Sequence, residues 1–206
     1  MQVVVRVERD HEPTHVQALA AAATAVVTLL TDERFDEAVA VWEHGAIRKI
    51  VRRARGAGWD RAVDLGGVVV TVDGASALAL PPAPTSPLPR RLVPLQVSGL
   101  DLGGDRPRGW AAADLAALRM AMTPVAELST GKLAAQAGHA AHLALRGMTE
   151  ERRARWVADG FPLSIAHPTS ADWPAVATDA LVEVHDAGYT EGGGAGLLTA
   201  VAWWDP

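Results

Sequence analysis

The stretch Val182-Glu183-Val184-His185-Asp186-Ala187-Gly188 has a counterpart 114 positions earlier, Val68-Val69-Val70-Thr71-Val72-Asp73-Gly74. Both read as a short β-branched strand running into a glycine turn. The same offset joins Trp42 to Trp156 and Trp59 to Trp173. With only 7 tryptophans in 206 residues, two such pairs added to a matching turn glycine point to an internal repeat.

The element order supports the repeat. The first copy reads as a strand at 3–7, helices at 14–30 and 33–44, an ambiguous segment at 47–54, a short helix at 59–65, and strands at 67–72 and 76–80. The second reads as a strand at 117–122, helices at 131–146 and 149–158 with Thr149 as cap, a strand at 163–166, a short helix at 171–178, and strands at 180–185 and 197–203. Between them Pro81, Pro82, Pro84, Pro87, Pro89 and Pro94 crowd one stretch. Proline suits linkers and sheet edges. The expected organisation is a repeat unit at 1–80, a Pro/Gly-rich linker at 81–112 with an extra strand near 92–97, and a second unit at 113–206. The fold class is α/β, two tandem copies of a small mixed-sheet unit packed as an intramolecular pseudo-dimer, with a homodimer as a further possible state.

Composition excludes several classes. There is no cysteine, so disulfide frameworks, thiol catalysis and cysteine-ligated metals are out. Lys+Arg number 19 against Asp+Glu 24, so nucleic-acid binding would rest on a local patch and not on net charge. Charge follows at once on the apolar N-terminal run, unlike a signal peptide. The apolar run 18–30 falls short of the ~18 residues of a membrane span. These features predict a cytoplasmic chain without a membrane partner.

The chemistry concentrates in the second copy. Gly131-Lys132-Leu133-Ala134-Ala135-Gln136-Ala137-Gly138-His139-Ala140 puts Lys132, Gln136 and His139 at i, i+4 and i+7, one face of a helix. Aligned on the helix start, His15, Leu19 and Ala22 take these places in the first copy. Asp186 stands where the first copy has Val72. A carboxylate at a core-type strand position needs a partner or water, and Lys132 or His139 would supply one if the strand end meets the helix start. A solvated helix face and a turn-forming aspartate are the plainer readings of the same residues.

That helix, together with Asp186-Ala187-Gly188-Tyr189-Thr190-Glu191, resembles the type II peptidyl-tRNA hydrolases of archaea and eukaryotes. Their motifs are Gly-Lys-x-Ala-Ala-Gln-x-x-His-Ala and Asp-Ala-Gly-Arg-Thr-Gln. The resemblance covers about residues 116–203 and leaves the first half as a degenerate copy. It implies a peptidyl-tRNA-hydrolase-type fold and cofactor-free cleavage of the ester between a peptide and tRNA. It implies catalytic roles for Lys132, Asp186 and Thr190, and places Gln136 and His139 in the helix motif that meets substrate. Tyr189 and Glu191 replace the family's Arg and Gln, which shifts the turn toward negative charge.

A basic run, Arg48, Lys49, Arg52 and Arg53, with Arg55 and Arg61 nearby, is the candidate surface for a tRNA backbone, whether on a helix or a strand. An ordinary solvated face is the alternative. His139 with His142 and His11 with His15 have helical spacing but no third ligand, so no metal is expected. Trp203 and Trp204 are candidates for stacking on a base. Two other functions fit the residues, a non-catalytic binding module and a hydrolase of a different acyl ester.

Overall fold

The structure, a computed structural model, describes residues 1–109, 118–188 and 195–205. It is α/β, built on two four-stranded mixed sheets of matching connectivity. In the first, β1 (Gln2–Arg6) pairs in parallel with β2 (Ile50–Ala54) and antiparallel with β4 (Ala75–Ala79). β3 (Val68–Val72) completes the order β2-β1-β4-β3. In the second, β5 (Leu118–Met122), β6 (Leu163–Ala166), β7 (Val182–His185) and β8 (Leu198–Trp203) give β6-β5-β8-β7 with the same sense at each ladder.

Two long helices, α1 (His15–Leu30) and α4 (Thr130–Gly147), pack on each other between the sheets. Each also reaches across, α1 to β6 and α4 to β2. Reciprocal contacts of this kind mark an approximate two-fold arrangement. Side chains alternate along the strands. Val3 and Val5 of β1 and Met120 of β5 face the shared helical layer, whereas Val4 and Ala121 face outward. The outer face of the first sheet is covered by α3 (Gly56–Val63) through Trp59, and that of the second by α6 (Trp173–Thr178) through Trp173. The tryptophans that revealed the repeat thus occupy matching places. One central cluster joins residues of both copies, so neither copy encloses its core alone.

The layer is tight because its residues are small. α1 is apolar on nearly all sides, as a helix with no water-facing stripe must be. A Cβ added at Gly138 would lie 3.2 Å from Val26 Cγ2 and 3.4 Å from Lys49 Cδ. No single helix among the described residues is long and apolar enough to cross a membrane.

Three expectations change. The ambiguous segment is strand β2, whose β-branched Ile50 and Val51 sit in the ladder with β1. The long helix near residue 33 is a 3-10 turn at Glu33–Phe35 followed by α2 (Asp36–Glu43), with Asp32 capping the turn. No strand forms at 92–97; residues 90–94 form a turn, and only Gln96 bridges Arg53. Pro89 and Pro94 remove ladder donors there, and Leu92 and Leu95 pack with Trp59 instead. The helix after Met148 is α5 (Glu150–Ala158), with Thr149 capping as expected.

Gly138→Val should cost about 1–3 kcal/mol in urea unfolding, through overpacking between the helices. Gly103→Ala, where an added Cβ meets nothing within 4 Å, should change stability by less than about 0.5 kcal/mol. Equal effects of the two would contradict the tight-layer reading.

Candidate functional site

Ser129 caps α4, its hydroxyl accepting from the Lys132 amide at 3.2 Å. The Gly131 amide donates to the Leu100 carbonyl at 3.0 Å. The first turn of α4 is therefore pinned from two sides, and Lys132 projects from it at a fixed place. Its Nζ donates to Asp186 Oδ1 at 2.7 Å, across 54 positions of sequence. The two side chains are 11% and 5% exposed. Asp186 follows β7 and is held by its own backbone, whose amide donates to the Leu197 carbonyl at 2.8 Å and whose carbonyl accepts from the Gly196 amide at 2.8 Å. Gly188, two residues on, has φ +75°, and a Cβ there would lie 2.8 Å from the Ala195 amide nitrogen, so the turn needs glycine. Asp186 Oδ2 is buried and accepts no hydrogen bond among the described residues. A buried carboxylate oxygen in that state is poised to take a donor such as water.

The first copy shows what this replaces. Its cap is Thr14, so counting from the caps sets Gln17, Ala21 and Thr24 opposite Lys132, Gln136 and His139. This corrects by two residues the alignment on His15, Leu19 and Ala22, because it is the capping residues that occupy equivalent positions. Gln17 Nε2 donates to the Asp73 carbonyl at 2.8 Å, joining the same helix start to the same turn without charge. His15 meets Thr130 instead, Nδ1 to Oγ1 at 2.8 Å, so the first residues of the two long helices touch each other.

Gln136 is buried one turn beyond Lys132. His139 is half-buried and belongs to a second cluster. Lys49 Nζ lies 3.0 Å from His142 Nδ1 and 3.3 Å from His139 Nδ1. His142 Nε2 meets Glu43 Oε1 at 2.6 Å, and Arg146 Nε donates to the same oxygen at 2.9 Å. Trp42 stacks on His142, its ring centroid 5.4 Å away, and Lys49 Nζ lies 5.0 Å from the Trp42 ring centroid. Burial lowers the Lys49 pKa to about 7, and it lowers His142 to about 4, with Lys49 adding to the effect. Burial, then Lys49, pushes His139 well below its ordinary value. A neutral His142 donates from Nε2 to the Glu43 carboxylate, which leaves Nδ1 to accept from Lys49. The cluster ties α2 and the start of β2 to α4 of the other copy. Among the described residues no group of three or more His, Cys, Asp or Glu is placed to hold a metal ion.

The basic run does not form one surface. Lys49 and Val51 turn toward the helical layer, and Lys49 is buried. Arg52 is buried as well, donating to Gln2 Oε1 at 2.9 Å and to the Leu95 carbonyl at 2.7 Å. Neither can face a phosphate chain in solvent, because a strand buried on both sides turns alternate basic residues inward. Arg48 is exposed, and Arg53 is held by Gln96 and the Gly99 carbonyl. Thr190, Tyr189 and Glu191 lie outside the described residues. Trp203 packs in the outer cluster with Trp173, and Trp204 against the central core. The contacts of Glu43 and Trp42 with His142, on the motif helix itself, were missed. The available signal is the His139–His142 spacing, which puts both rings near one helix face and, lacking a third ligand, fits surface or core histidines. No family model, curated protein or solved structure matches this chain.

The histidines give a pH signature. His15 is lowered to about 3, and His142 and His167 to about 4, in each case mainly by burial. Each binds its proton more readily unfolded than folded. Stability should therefore be full above about pH 6.5 and fall as pH drops toward 4. The urea midpoint at pH 4.5 should lie below that at pH 7.5, and His142→Gln should shrink the difference. A midpoint independent of pH over that range would contradict the buried-neutral assignment.

Proposed function

We propose that this chain is an ester hydrolase of the peptidyl-tRNA hydrolase type, with a fold of that type in each copy and its chemistry in the second. The observation that carries the reading is the Lys132–Asp186 pair, held at 2.7 Å with Asp186 Oδ2 buried and unpartnered among the described residues. Lys132 fixes the carboxylate through Oδ1. Oδ2 then accepts a hydrogen bond from a water, and that water's oxygen attacks the ester carbonyl carbon. The negative charge that grows on the carbonyl oxygen needs a fixed positive group. The Gly131 and Lys132 amides are already committed to Leu100 and Ser129, so this role falls to the Lys132 ammonium. The water supplies hydroxyl to the acyl carbon and a proton to the leaving ribose oxygen, so the products are an acid and the free tRNA hydroxyl. Thr190 is assigned to orienting that water by the resemblance alone.

The reading makes the chain a cytoplasmic enzyme of translation that acts on peptidyl-tRNA without a cofactor. Gln136 and His139 lie farther along the same helix face, buried and bound to Lys49 respectively, and are assigned to the substrate by the resemblance alone. Single-turnover hydrolysis of an N-blocked aminoacyl-tRNA tests it. Lys132→Ala and Asp186→Asn should each slow cleavage by about 100-fold or more, the scale on which a charge stabilising a developing oxyanion acts. Parent-like rates in both variants would remove the assignment. A well-folded parent that cleaves no ester at all would favour a binding module.

A further inference from the structure

The first copy and the linker together build a cleft of about 680 Å³ on the far end of β2. Arg9, Arg53, Arg55 and Arg61 line it, with Gln96 and Gly58. Two carboxylates also line it, Glu8 and Glu12. Glu8 is already engaged, accepting from Arg6 Nε at 2.9 Å and from the Gly56 amide at 2.9 Å. None of the four lining arginines has a carboxylate within ion-pair distance among the described residues; Arg55 feels Glu8 only at longer range. Arg53 is held in place by neutral acceptors, Gln96 Oε1 and the Gly99 carbonyl, which keep its charge. In a chain of net charge −5, a cleft with four guanidiniums and a single uncommitted carboxylate focuses positive potential locally.

The linker also fixes where this cleft lies relative to the candidate active site. Gln96 bridges Arg53, Gly99 accepts from Arg53 Nη1 at 2.9 Å, and the next carbonyl, Leu100, accepts from the Gly131 amide at 3.0 Å. Gly131 precedes Lys132. From Gln96 to Leu100 is four residue steps, which span at most about 14 Å. The cleft and the Lys132–Asp186 pair are therefore joined by one short, pinned segment.

We propose that the arginine cleft binds successive phosphodiesters of a single RNA strand whose esterified end is presented to Lys132 and Asp186. This rests on the hydrolase reading for the end of the strand, but not for its binding. The first copy and the linker then grip the chain that the second copy cuts at its terminus. Guanidiniums suit that grip because their planar forks match phosphate oxygens.

The test uses the full chain and a labelled eight-nucleotide RNA with a free 3′ hydroxyl, so no ester is present and hydrolysis cannot enter. Fluorescence anisotropy is read across a salt series for the parent and for Arg55→Ala/Arg61→Ala. Both arginines are exposed, so folding is spared. The double variant should bind at least tenfold more weakly. Its log–log salt slope should be shallower by roughly 1.4, two phosphate contacts on a single strand. Arg90→Ala/Arg155→Ala removes the same charge elsewhere and should leave slope and affinity near the parent. Equal losses in the two double variants would overturn the cleft, since they would reflect net charge alone. Competition by adenosine monophosphate as strong as by unlabelled oligonucleotide would overturn the strand, since one phosphate would then account for all the binding. A parent that binds with this pattern but cleaves no ester in the single-turnover assay would count against the hydrolase reading alone.

Discussion

Everything else in this molecule hangs on α1 and α4 lying close together. Each copy has a sheet whose inner apolar face has a single long helix to cover it, too little to enclose a core. Alanine along both helices, with Gly138 in α4, lets them share one layer between the two sheets, and a single apolar cluster results. Burial of that surface is the dominant favourable term. The repeat is thus a thermodynamic necessity as well as a sequence pattern: either half alone would expose the face that its partner covers.

A shared layer frees the two copies to diverge where packing does not constrain them. At the start of α1 a neutral glutamine ties helix to turn; at the start of α4 a lysine and an aspartate do so. Replacing a neutral link by a largely buried ion pair gains little stability, because desolvation offsets the attraction. Such a pair is better explained by chemistry than by folding. Lys49 differs, since it is buried among two imidazoles and a tryptophan ring and its contacts with both imidazoles cross between the copies. It fastens the copies together at the cost of a cation whose affinity for its proton is much reduced.

Much of this was legible in the chain. The Trp59–Trp173 pair and the two glycine turns located matching elements, since the outer face of each sheet needs one large cover and each final hairpin needs a turn of positive φ. Asp186 in a valine's place announced an unmet charge, and Lys132 answers it. Other features could not be read, because they depend on which element lands on which face. In β2, Ile50 and Val51 are followed by Arg52 and Arg53, so each face carries both kinds and neither reads as the polar side. Burial of Lys49 and Arg52 is decided by α4 on one side and by Leu95 on the other, both far away in sequence. The His142–Glu43 contact spans 99 positions. The two-residue slip at the helix start comes from counting the first helix from its cap, Thr14, and the second from Gly131, two residues past its cap Ser129; only the caps report where a helix begins.

The central claim is that the Lys132–Asp186 pair serves reaction and not folding. The direct measurement is to give the second copy the first copy's residues, Lys132→Gln with Asp186→Val, and to follow urea unfolding and single-turnover ester cleavage on the same preparation. The expected result is stability within about 1 kcal/mol of the parent or above it, since replacing both partners of a buried pair is often neutral or stabilising, together with loss of cleavage. A variant that cleaves the ester as the parent does would contradict the claim, and so would one that loses several kcal/mol of stability.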